Sequence, residues 1–427
     1  MLSIDNYGKS HIVGLVLNKA IIPLGGLGTR LYPLTVDTSK AMIRFLNRPL
    51  IDFTIMKLAR QGIREFYLGV SGYVNYIGLF DHLGSGEGVT HKLGLTYEEV
   101  RIRYQPNVVT RGNAESVKIV MEYYDLRDPV LVVQGDIVFD ISLSDLWNYH
   151  VSKDAYMTIV LRELEDLSRL RLYGVAKLGD GGLIEGFIEK PTNPSEAPSN
   201  LINTGIYLLS PEFRDFFNTD VGRSLYDSGN LDFGRHVIPA LIKCKYPIYG
   251  YITRSYWFDV GTPESYLEAC KYLLRSLSNE ELEVSTTYNG IKFMGKTLMS
   301  KALHRSIIDR LRSNDLSIEG DVLLGRHIFL GRKVRVVNSV IDHYVIVGNE
   351  SLIEDSVIMD RCNIGSNVVI VNSIIGRHAV IGDNVVVRDS VLGNGVVVGD
   401  GSIITNSKIW PHKIIPGSTA IKDSILT

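Results

Sequence analysis

The sequence predicts two architectures in succession, an α/β domain built on a mostly parallel sheet and then a parallel β-helix. Between about residues 20 and 271, short apolar runs alternate with longer amphipathic ones. This alternation is typical of a parallel sheet covered by helices on both faces. The last hundred residues differ, because serine recurs there with a fixed period of 17 among many valines, isoleucines and glycines. A constant period of that length indicates stacked β coils.

Composition limits the class of protein. The chain has 427 residues, 45% hydrophobic and 22% charged, with a net charge of −2, as in globular proteins of two or three domains. No basic surface for nucleic acid is implied, and no apolar run has the length of a membrane span. Cys244, Cys270 and Cys362 lack C-x-x-C spacing, which favours a reducing compartment. With no basic stretch before its first apolar run, we expect a cytoplasmic protein that binds neither nucleic acid nor membrane.

The first element of the sheet is an apolar run at residues 20–24, followed by three glycines between residues 25 and 28. Open parallel sheets bind ligands at the carboxyl ends of their strands, and clustered glycines let backbone N–H groups wrap a phosphate. Arg30 and Lys40 add two cations, which suit a polyphosphate. Neither a Walker A loop nor a dinucleotide fingerprint fits this spacing.

The following elements supply carboxylates and a further cation. We expect strands at residues 66–70, 130–133, 156–161, 202–209 and 248–253, and helices at residues 50–61, 116–124, 143–150 and 263–277. Asp136 follows one of these strands in a Gly-Asp pair, and Asp259 precedes the helix start at Thr262 and Pro263. A carboxylate at a strand end suits Mg²⁺, although a Gly-Asp pair alone is more often a turn.

Together these segments resemble, in the expected order, five motifs of the sugar-1-phosphate nucleotidylyltransferases, or NDP-sugar pyrophosphorylases. The family loop G-G-x-G-T-R-L-x-P-L-T is kept, whereas Ser39 and Ala41 replace the two prolines that flank the family's lysine. The resemblance covers most of residues 20–270 and implies a Rossmann-like domain. It also implies Mg²⁺-dependent transfer of a nucleotidyl group from a nucleoside triphosphate to a hexose 1-phosphate, with release of pyrophosphate.

The resemblance assigns roles to particular residues. It implies catalysis by Arg30 and Lys40; nucleotide binding by Leu24, Gly25, Gly26, Gly28, Thr29, Gln105, Gly112 and Asn113; sugar-phosphate binding by Gly174, Glu189, Lys190, Asn203 and Thr204; and Mg²⁺ binding by Asp136 and Asp259. In the base-binding region Asn113 replaces a common threonine and Ser116 a common alanine. The base therefore stays open, and glucose and mannose are both candidates for the sugar.

The C-terminal repeats carry their own signature. The periodic serines, each preceded by Asn or Asp, are Ser339, Ser356, Ser373, Ser390, Ser407 and Ser424. Apolar residues recur at intervals of six, six and five within each unit, which predicts three-sided coils with an apolar interior. Handedness is not visible in the sequence, but the resemblance to hexapeptide-repeat domains implies a left-handed β-helix.

These patterns divide the chain. We expect an unassigned N-terminal extension at residues 1–19, the catalytic domain at 20–277, a linker with irregular strands at 278–317, and the β-helix at 318–427. The flat sides of a β-helix suit self-association, so we expect a homo-oligomer assembled through that domain.

Two other functions stay open. The chain fits a non-catalytic regulatory paralogue that binds nucleotide sugars in a larger assembly, because its motifs deviate at Ser39 and Asn113. It also fits a bifunctional enzyme, since some β-helix domains transfer acyl groups with a histidine base, and His343 and His378 lie on coils.

Overall fold

A computed structural model describes residues 17–26, 28–70, 72–106 and 110–427. Most of the unassigned N-terminal extension, residues 1–16, lies outside the described residues. The described chain divides into two compact units. The first unit contains residues 17–26 and Phe53–Trp257, and the second contains residues 28–52 and Phe258–Thr427. The domain boundaries given above stay predictions.

Four helices lie close to where the amphipathic runs predict them, those that begin at Leu50, Asn113, Leu143 and Pro263, and the sequence did not predict the other described helices. The described helices are α1 (Leu50–Arg60), α2 (Tyr73–Leu83), α3 (Glu87–Leu93), α4 (Asn113–Tyr123), α5 (Leu143–Ser152), α6 (Asp220–Asp227), α7 (Ile238–Lys243), α8 (Pro263–Ser276) and α9 (Leu298–Arg312). Among the described residues, no helix is both long and apolar enough to cross a membrane.

The strands before the coils are short and mostly buried. They are β1 (Lys19–Leu24), β2 (Arg44–Phe45), β3 (Arg48–Pro49), β4 (Glu65–Val70), β5 (Arg101–Tyr104), β6 (Val130–Val133), β7 (Ile137–Phe139), β8 (Met157–Glu163), β9 (Gly174–Leu178), β10 (Ile184–Glu189), β11 (Leu201–Leu209), β12 (Ile248–Thr253), β13 (Trp257–Asp259), β14 (Val284–Tyr288) and β15 (Ile291–Met294).

The first unit is built on a mixed sheet with the strand order β10-β9-β11-β6-β1-β4-β5, and β8 joins β11 to β12. One half is parallel, because β1 pairs in parallel with β4 and β6, and β4 with β5. This half is the predicted Rossmann-like sheet, and α4 packs against β1 and β4. In the other half, β11 runs antiparallel to β6, β8 and β9. Apolar runs do not report strand direction, so the sequence predicted the strands β8, β11 and β12 but not that β11 runs antiparallel to its neighbours.

The second unit contains the coils, which three stacked parallel sheets form. Their strands are β16 (Leu316–Glu319), β17 (Val322–Leu324), β18 (Phe329–Leu330), β19 (Val334–Val337), β20 (Val340–Ile341), β21 (Ile346–Val347), β22 (Leu352–Glu354), β23 (Val357–Ile358), β24 (Asn363–Ile364), β25 (Val369–Val371), β26 (Ile374–Ile375), β27 (Val380–Ile381), β28 (Val386–Arg388), β29 (Val391–Leu392), β30 (Val397–Val398), β31 (Ile403–Thr405), β32 (Lys408–Ile409), β33 (Ile414–Ile415), β34 (Ala420–Lys422) and β35 (Ile425–Leu426).

Each coil pairs with the coil that follows it along the chain, one sequence repeat later. Thus Ile358 pairs with Ile375, which pairs with Leu392, and all three side chains are fully buried in one apolar core. The arrangement is consistent with the left-handed parallel β-helix that the hexapeptide-repeat resemblance implies.

The periodic serines form a hydrogen-bonded ladder through the coils. Ser373 is fully buried, and its Oγ donates to the carbonyl oxygen of Val371 at 2.7 Å. The same Oγ accepts the backbone N–H of Ser390, one coil later, at 3.1 Å, while Ser356 Oγ accepts the N–H of Ser373 at 3.0 Å. The preceding residue, Asn372, has φ +46°. Asn and Asp tolerate this left-handed conformation better than other side chains, which explains why they precede the serines.

One element within the predicted linker differs from the expectation. Residues 298–312 form the helix α9, where we expected irregular strands. Its buried face is formed by Ser300, His304 and Ile307, and this i, i+4, i+7 spacing is helical. Thr297 caps the helix, because its side chain accepts the backbone N–H of Ser300. The expectation of strands was therefore wrong for these residues.

Candidate active site

In the first unit, the glycine-rich segment begins at the carboxyl end of β1. Leu24 is buried, and Gly25 and Gly26 after it are exposed. Because β1 pairs with β6, the Gly-Asp pair that follows β6 belongs to the same edge of the sheet. Asp136 is half-buried there, between β6 and β7.

In the second unit, the segment continues as a short turn. Thr35 Oγ1 donates to the carbonyl oxygen of Gly28 at 2.8 Å, and Leu31 is fully buried. These contacts hold the 3₁₀ turn at Thr29–Leu31, in which Thr29 and Arg30 are exposed. Some residues that match the family motif therefore stabilise the turn, and others, such as Arg30, are exposed on its surface.

The same unit brings Arg30 and Lys40 together on Asp259. Arg30 Nη2 lies 3.3 Å from Asp259 Oδ2, and Lys40 Nζ lies 3.7 Å from Oδ1. The Asp259 side chain is only 14% exposed, whereas that of Arg30 is 48% exposed. Asp259 Oδ1 is buried and accepts no hydrogen bond among the described residues. Two cations therefore meet at one carboxylate that still has an oxygen available for a ligand.

Gly261 makes this cluster possible, although it is not among the site residues that the sequence predicts. A Cβ at this position would lie 2.7 Å from both Arg30 Nη2 and Asp259 Oδ1, closer than real Cβ atoms approach. The only signal in the sequence is a glycine two residues after the aspartate and just before the N-cap Thr262.

In the first unit, Glu189 and Lys190 lie at the end of β10. Lys190 Nζ is 3.6 Å from Glu189 Oε1, and the lysine side chain is 47% exposed. The carboxylate packs against the backbone of two glycines, because a Cβ at Gly174 or Gly234 would lie 2.5 or 2.3 Å from Glu189 Oε2. This burial raises the pKa of the Glu189 carboxyl. A largely buried carboxylate beside an exposed ammonium group suits a sugar phosphate, which carries both hydroxyls and charge.

Asn203 and Thr204 on β11 use their polar atoms within the first unit. Asn203 Nδ2 donates to the Tyr207 hydroxyl at 2.9 Å, and Oδ1 accepts the N–H of Gly205 at 2.9 Å. Thr204 is buried, and its hydroxyl donates to the carbonyl oxygen of Val160 at 2.7 Å. Both side chains therefore hold the shape of the strand.

Gln105, Gly112 and Asn113 lie between the end of β5 and the start of α4. The buried Ser116 Oγ donates to Gln105 Oε1 at 2.7 Å, and Asn113 Oδ1 accepts the N–H of Phe233 at 2.9 Å. The asparagine that replaces the family's common threonine thus anchors the segment around Phe233.

Two groups of predicted residues are therefore assembled, one in each unit. In the first unit, Glu189 lies against both Gly174 and Lys190. In the second unit, Arg30 and Lys40 lie against Asp259.

His343, one of the two histidines considered for acyl transfer, is buried. Its Nδ1 accepts the backbone N–H of Arg326 at 2.9 Å, and burial lowers its pKa to about 4. This imidazole is therefore part of the coil structure, and His378 is exposed at a coil corner with φ +58°. No observation favours acyl transfer at either residue.

Comparison with known proteins gives matches along most of the chain. The model of the nucleotidyl transferase family matches residues 19–276, and that of the GMPPB C-terminal domain matches residues 318–425. The glucose-1-phosphate adenylyltransferase of Fervidobacterium nodosum is 28% identical over 362 residues, which are 82% of this chain and 83% of that protein. The mannose-1-phosphate guanyltransferase of Yarrowia lipolytica is 31% identical over 270 residues, 62% of this chain and 66% of that protein.

Coverage of the relatives is uneven. A relative from Sulfolobus acidocaldarius is 31% identical, and the chain spans only 61% of its length. The solved structure of UDP-glucose pyrophosphorylase from Acinetobacter baumanii covers 63% of this chain and 97% of its own, with a TM-score of 0.51 and 19% identity, a likeness of fold. Because one family model spans more than half of the residues, this chain belongs to the nucleotidyl transferase family.

Proposed function

We propose that this protein is a sugar-1-phosphate nucleotidylyltransferase, which joins a nucleoside triphosphate to a hexose 1-phosphate and releases pyrophosphate. The observation that carries this proposal is the meeting of Arg30 and Lys40 on Asp259. Two relatives with the names of such enzymes support it. Their names differ in both sugar and base, so the proposal extends to glucose or mannose 1-phosphate as the acceptor class.

The reaction needs little covalent help from the protein. A phosphate oxygen of the sugar phosphate attacks the α-phosphorus of the triphosphate, and the bond from that phosphorus to the bridging oxygen breaks. Negative charge then grows on the departing pyrophosphate. Fixed cations stabilise such charge more in the transition state than in the bound substrate, and this is the role we propose for Arg30 and Lys40.

A divalent cation fits the residues present. Mg²⁺ binds through one or two carboxylates together with substrate phosphates, and it would neutralise charge on the triphosphate. Asp259 fits this role because its buried Oδ1 has no hydrogen-bond partner in the part of the chain that the structure describes. Among the described residues, no group of three or more His, Cys, Asp or Glu gathers to hold a metal, so the substrate would supply most ligands. We propose Asp136 as a second ligand on the family resemblance.

Glu189 and Lys190 are proposed to bind the sugar phosphate. The exposed Lys190 ammonium would pair with the phosphate, and the Glu189 carboxylate would accept hydrogen bonds from sugar hydroxyls. Close packing against Gly174 and Gly234 fixes the carboxylate, so little conformational freedom is lost on binding.

We further propose that the protein is a cytoplasmic homo-oligomer that associates through the β-helix. The sheet formed by β18, β21, β24, β27, β30 and β33 presents an exposed apolar stripe that includes Phe329, Ile346, Val380 and Ile414. A second copy of the same rigid face is the occupant that we propose for it.

The test is pyrophosphate release from a panel of triphosphates and sugar phosphates. Arg30→Ala should lower turnover by at least ~10²-fold, while Arg305→Ala, which removes an exposed arginine of α9, should not change it. Circular dichroism checks that both variants fold. Near-normal turnover of Arg30→Ala would remove that residue from the mechanism. A wild-type protein that binds nucleotide sugars but releases no pyrophosphate would favour the regulatory paralogue.

A further inference from the structure

The segment from residue 28 to residue 52 carries Arg30 and Lys40, and the coils hold it near its start. The ring of Tyr32 meets Trp410 edge to face, with ring centroids 5.6 Å apart. Asp37 Oδ1 accepts a hydrogen bond from Asn394 Nδ2 at 2.8 Å, and His412 Nε2 lies 3.6 Å from Asp37 Oδ2. Trp410, Asn394 and His412 belong to the coils that contain β29 and β32.

A second attachment lies beyond Lys40. Arg44 is largely buried and pairs with both carboxylate oxygens of Asp342, at 2.7 Å from Nε and 2.8 Å from Nη2. Asp360 lies 3.8 Å from Arg44 Nε and is itself held by Arg377 at 2.6 Å. The pKa of the Arg44 guanidinium is raised: burial lowers it, and the bonds and charge of Asp342 outweigh that effect. Bidentate, charge-assisted pairs of this kind fix orientation as well as distance.

The turn after Arg44 is attached as well. Asn47 is buried in the turn between β2 and β3, where it has φ +68°. Its Nδ2 donates to the carbonyl oxygen of Ile341 at 3.2 Å. The coil around β20 therefore contacts the segment through both a side-chain carboxylate and a backbone carbonyl.

From these contacts we propose that the β-helix is part of the catalytic apparatus, and that Asn394, Trp410 and Asp342 are positioning residues for Arg30 and Lys40. The coil contacts at Asp37 and Arg44 lie on either side of Lys40, and Tyr32 lies two residues after Arg30. This proposal rests on the proposed function, because it concerns how those two cations are placed for the departing pyrophosphate.

The physical reason is that a cation stabilises a transition state only when it is already in place. A displacement of about 1 Å can cost up to ~10²-fold in rate. An anchor that is lost from an exposed segment should therefore lower kcat more than it raises KM, since the ground state tolerates a mobile cation better.

The experiment alters the contact between Asp37 and Asn394. Asn394→Asp places two carboxylates against each other, whereas the double variant Asp37→Asn, Asn394→Asp restores a hydrogen bond with its partners exchanged. The matched control is Asn372→Asp, because Asn372 Nδ2 makes the same kind of bond to Asp389, at 2.7 Å, between two coils. This control perturbs the β-helix without touching the segment.

We expect Asn394→Asp to lower kcat by at least ~10-fold with KM changed less than ~3-fold, and the double variant to recover most of the loss. Asn372→Asp should keep the wild-type kcat, even where its thermal midpoint falls as far. Equal kcat in Asn394→Asp and wild type, or no recovery in the double variant, would overturn the proposal.

Hydrogen exchange of residues 28–43 in the free protein gives a readout that does not depend on activity. Exchange there should be faster in Asn394→Asp and Trp410→Ala than in wild type and in Asn372→Asp. Unchanged exchange would show that the coils do not hold the segment. If the wild type releases no pyrophosphate, the proposed function fails, and this measurement alone decides whether the anchoring exists.

Discussion

Replacing Ser373 by alanine tests whether the serine ladder holds the coils together. Ser373 Oγ is the acceptor for the backbone N–H of Ser390, so Ser373→Ala leaves that N–H without its partner at a buried position. Val371, the acceptor of the hydroxyl proton, keeps a second donor in the N–H of Asp389. The expected loss is therefore that of one buried, unsatisfied N–H, about 1–3 kcal/mol. Divided by an RT of ~0.59 kcal/mol, this is about a 5- to 160-fold rise in the opening constant of the coils.

Ser424→Ala is the matched control, because Ser424 is an exposed member of the same serine series. Its Oγ donates to the carbonyl of Lys422, and no N–H of a described residue uses the hydroxyl as an acceptor. This variant should change the free energy of unfolding by less than about 0.5 kcal/mol. Urea denaturation measures both changes, and hydrogen exchange of residues 369–392 assigns the Ser373 effect to its coils. Equal losses in the two variants, or a Ser373→Ala loss as small as the one expected for the control, would refute the reasoning.

Four further variants test the sites and the exposed face. Asp259→Asn and Asp136→Asn should each raise the Mg²⁺ concentration for half-maximal turnover at least ~10-fold, since an amide cannot replace an anion at a hard cation. A variant with the same Mg²⁺ dependence as the wild type would show that its carboxylate does not bind the metal. Burial raises the pKa of Glu189, so the folded protein loses stability as pH rises through the ordinary carboxyl range and up to that raised value. Glu189→Gln should therefore raise the thermal midpoint at pH values above this range but not at pH values below about 4. An equal change of the thermal midpoint at high and at low pH would contradict this. The double variant Phe329→Glu, Ile414→Glu should lower the mass measured by light scattering, whereas a monomeric wild type would end the oligomer proposal.

The β-helix could be predicted from the sequence because every coil has the same apolar interior and the same corners, and therefore the same residue pattern. The period of 17, the intervals of six, six and five, and the Asn or Asp before each serine all repeat. What the serines do was not visible, because a serine hydroxyl signals neither its donor nor its acceptor. The helix α9 was missed although Ser300, His304 and Ile307 have helical spacing, since that run lies between two strongly β-like regions.

The sequence predicts which residues belong to the candidate site but not how they are arranged in space. Arg30 and Asp259 are 229 positions apart, and no local pattern reports that they meet. The need for a glycine at position 261 becomes clear only in the structure, where Arg30 packs against it. The sequence likewise does not predict the partners of Arg44. Asp342 and Asp360 look like ordinary turn residues of the coils, and only the structure shows that Arg44 contacts them.

The serine ladder also limits how the length of the tail can change during evolution. The N–H of each periodic serine from Ser356 to Ser424 is bonded to the hydroxyl of the periodic serine one repeat before it. A single inserted residue within a coil breaks one rung, and in a strand it also turns the following side chains to the opposite face. Deletion or duplication of one whole repeat keeps every rung, and an insertion that loops out at a corner disturbs none. Relatives with longer or shorter tails should therefore differ by whole coils, and the length of this part of the chain should change in multiples of one repeat.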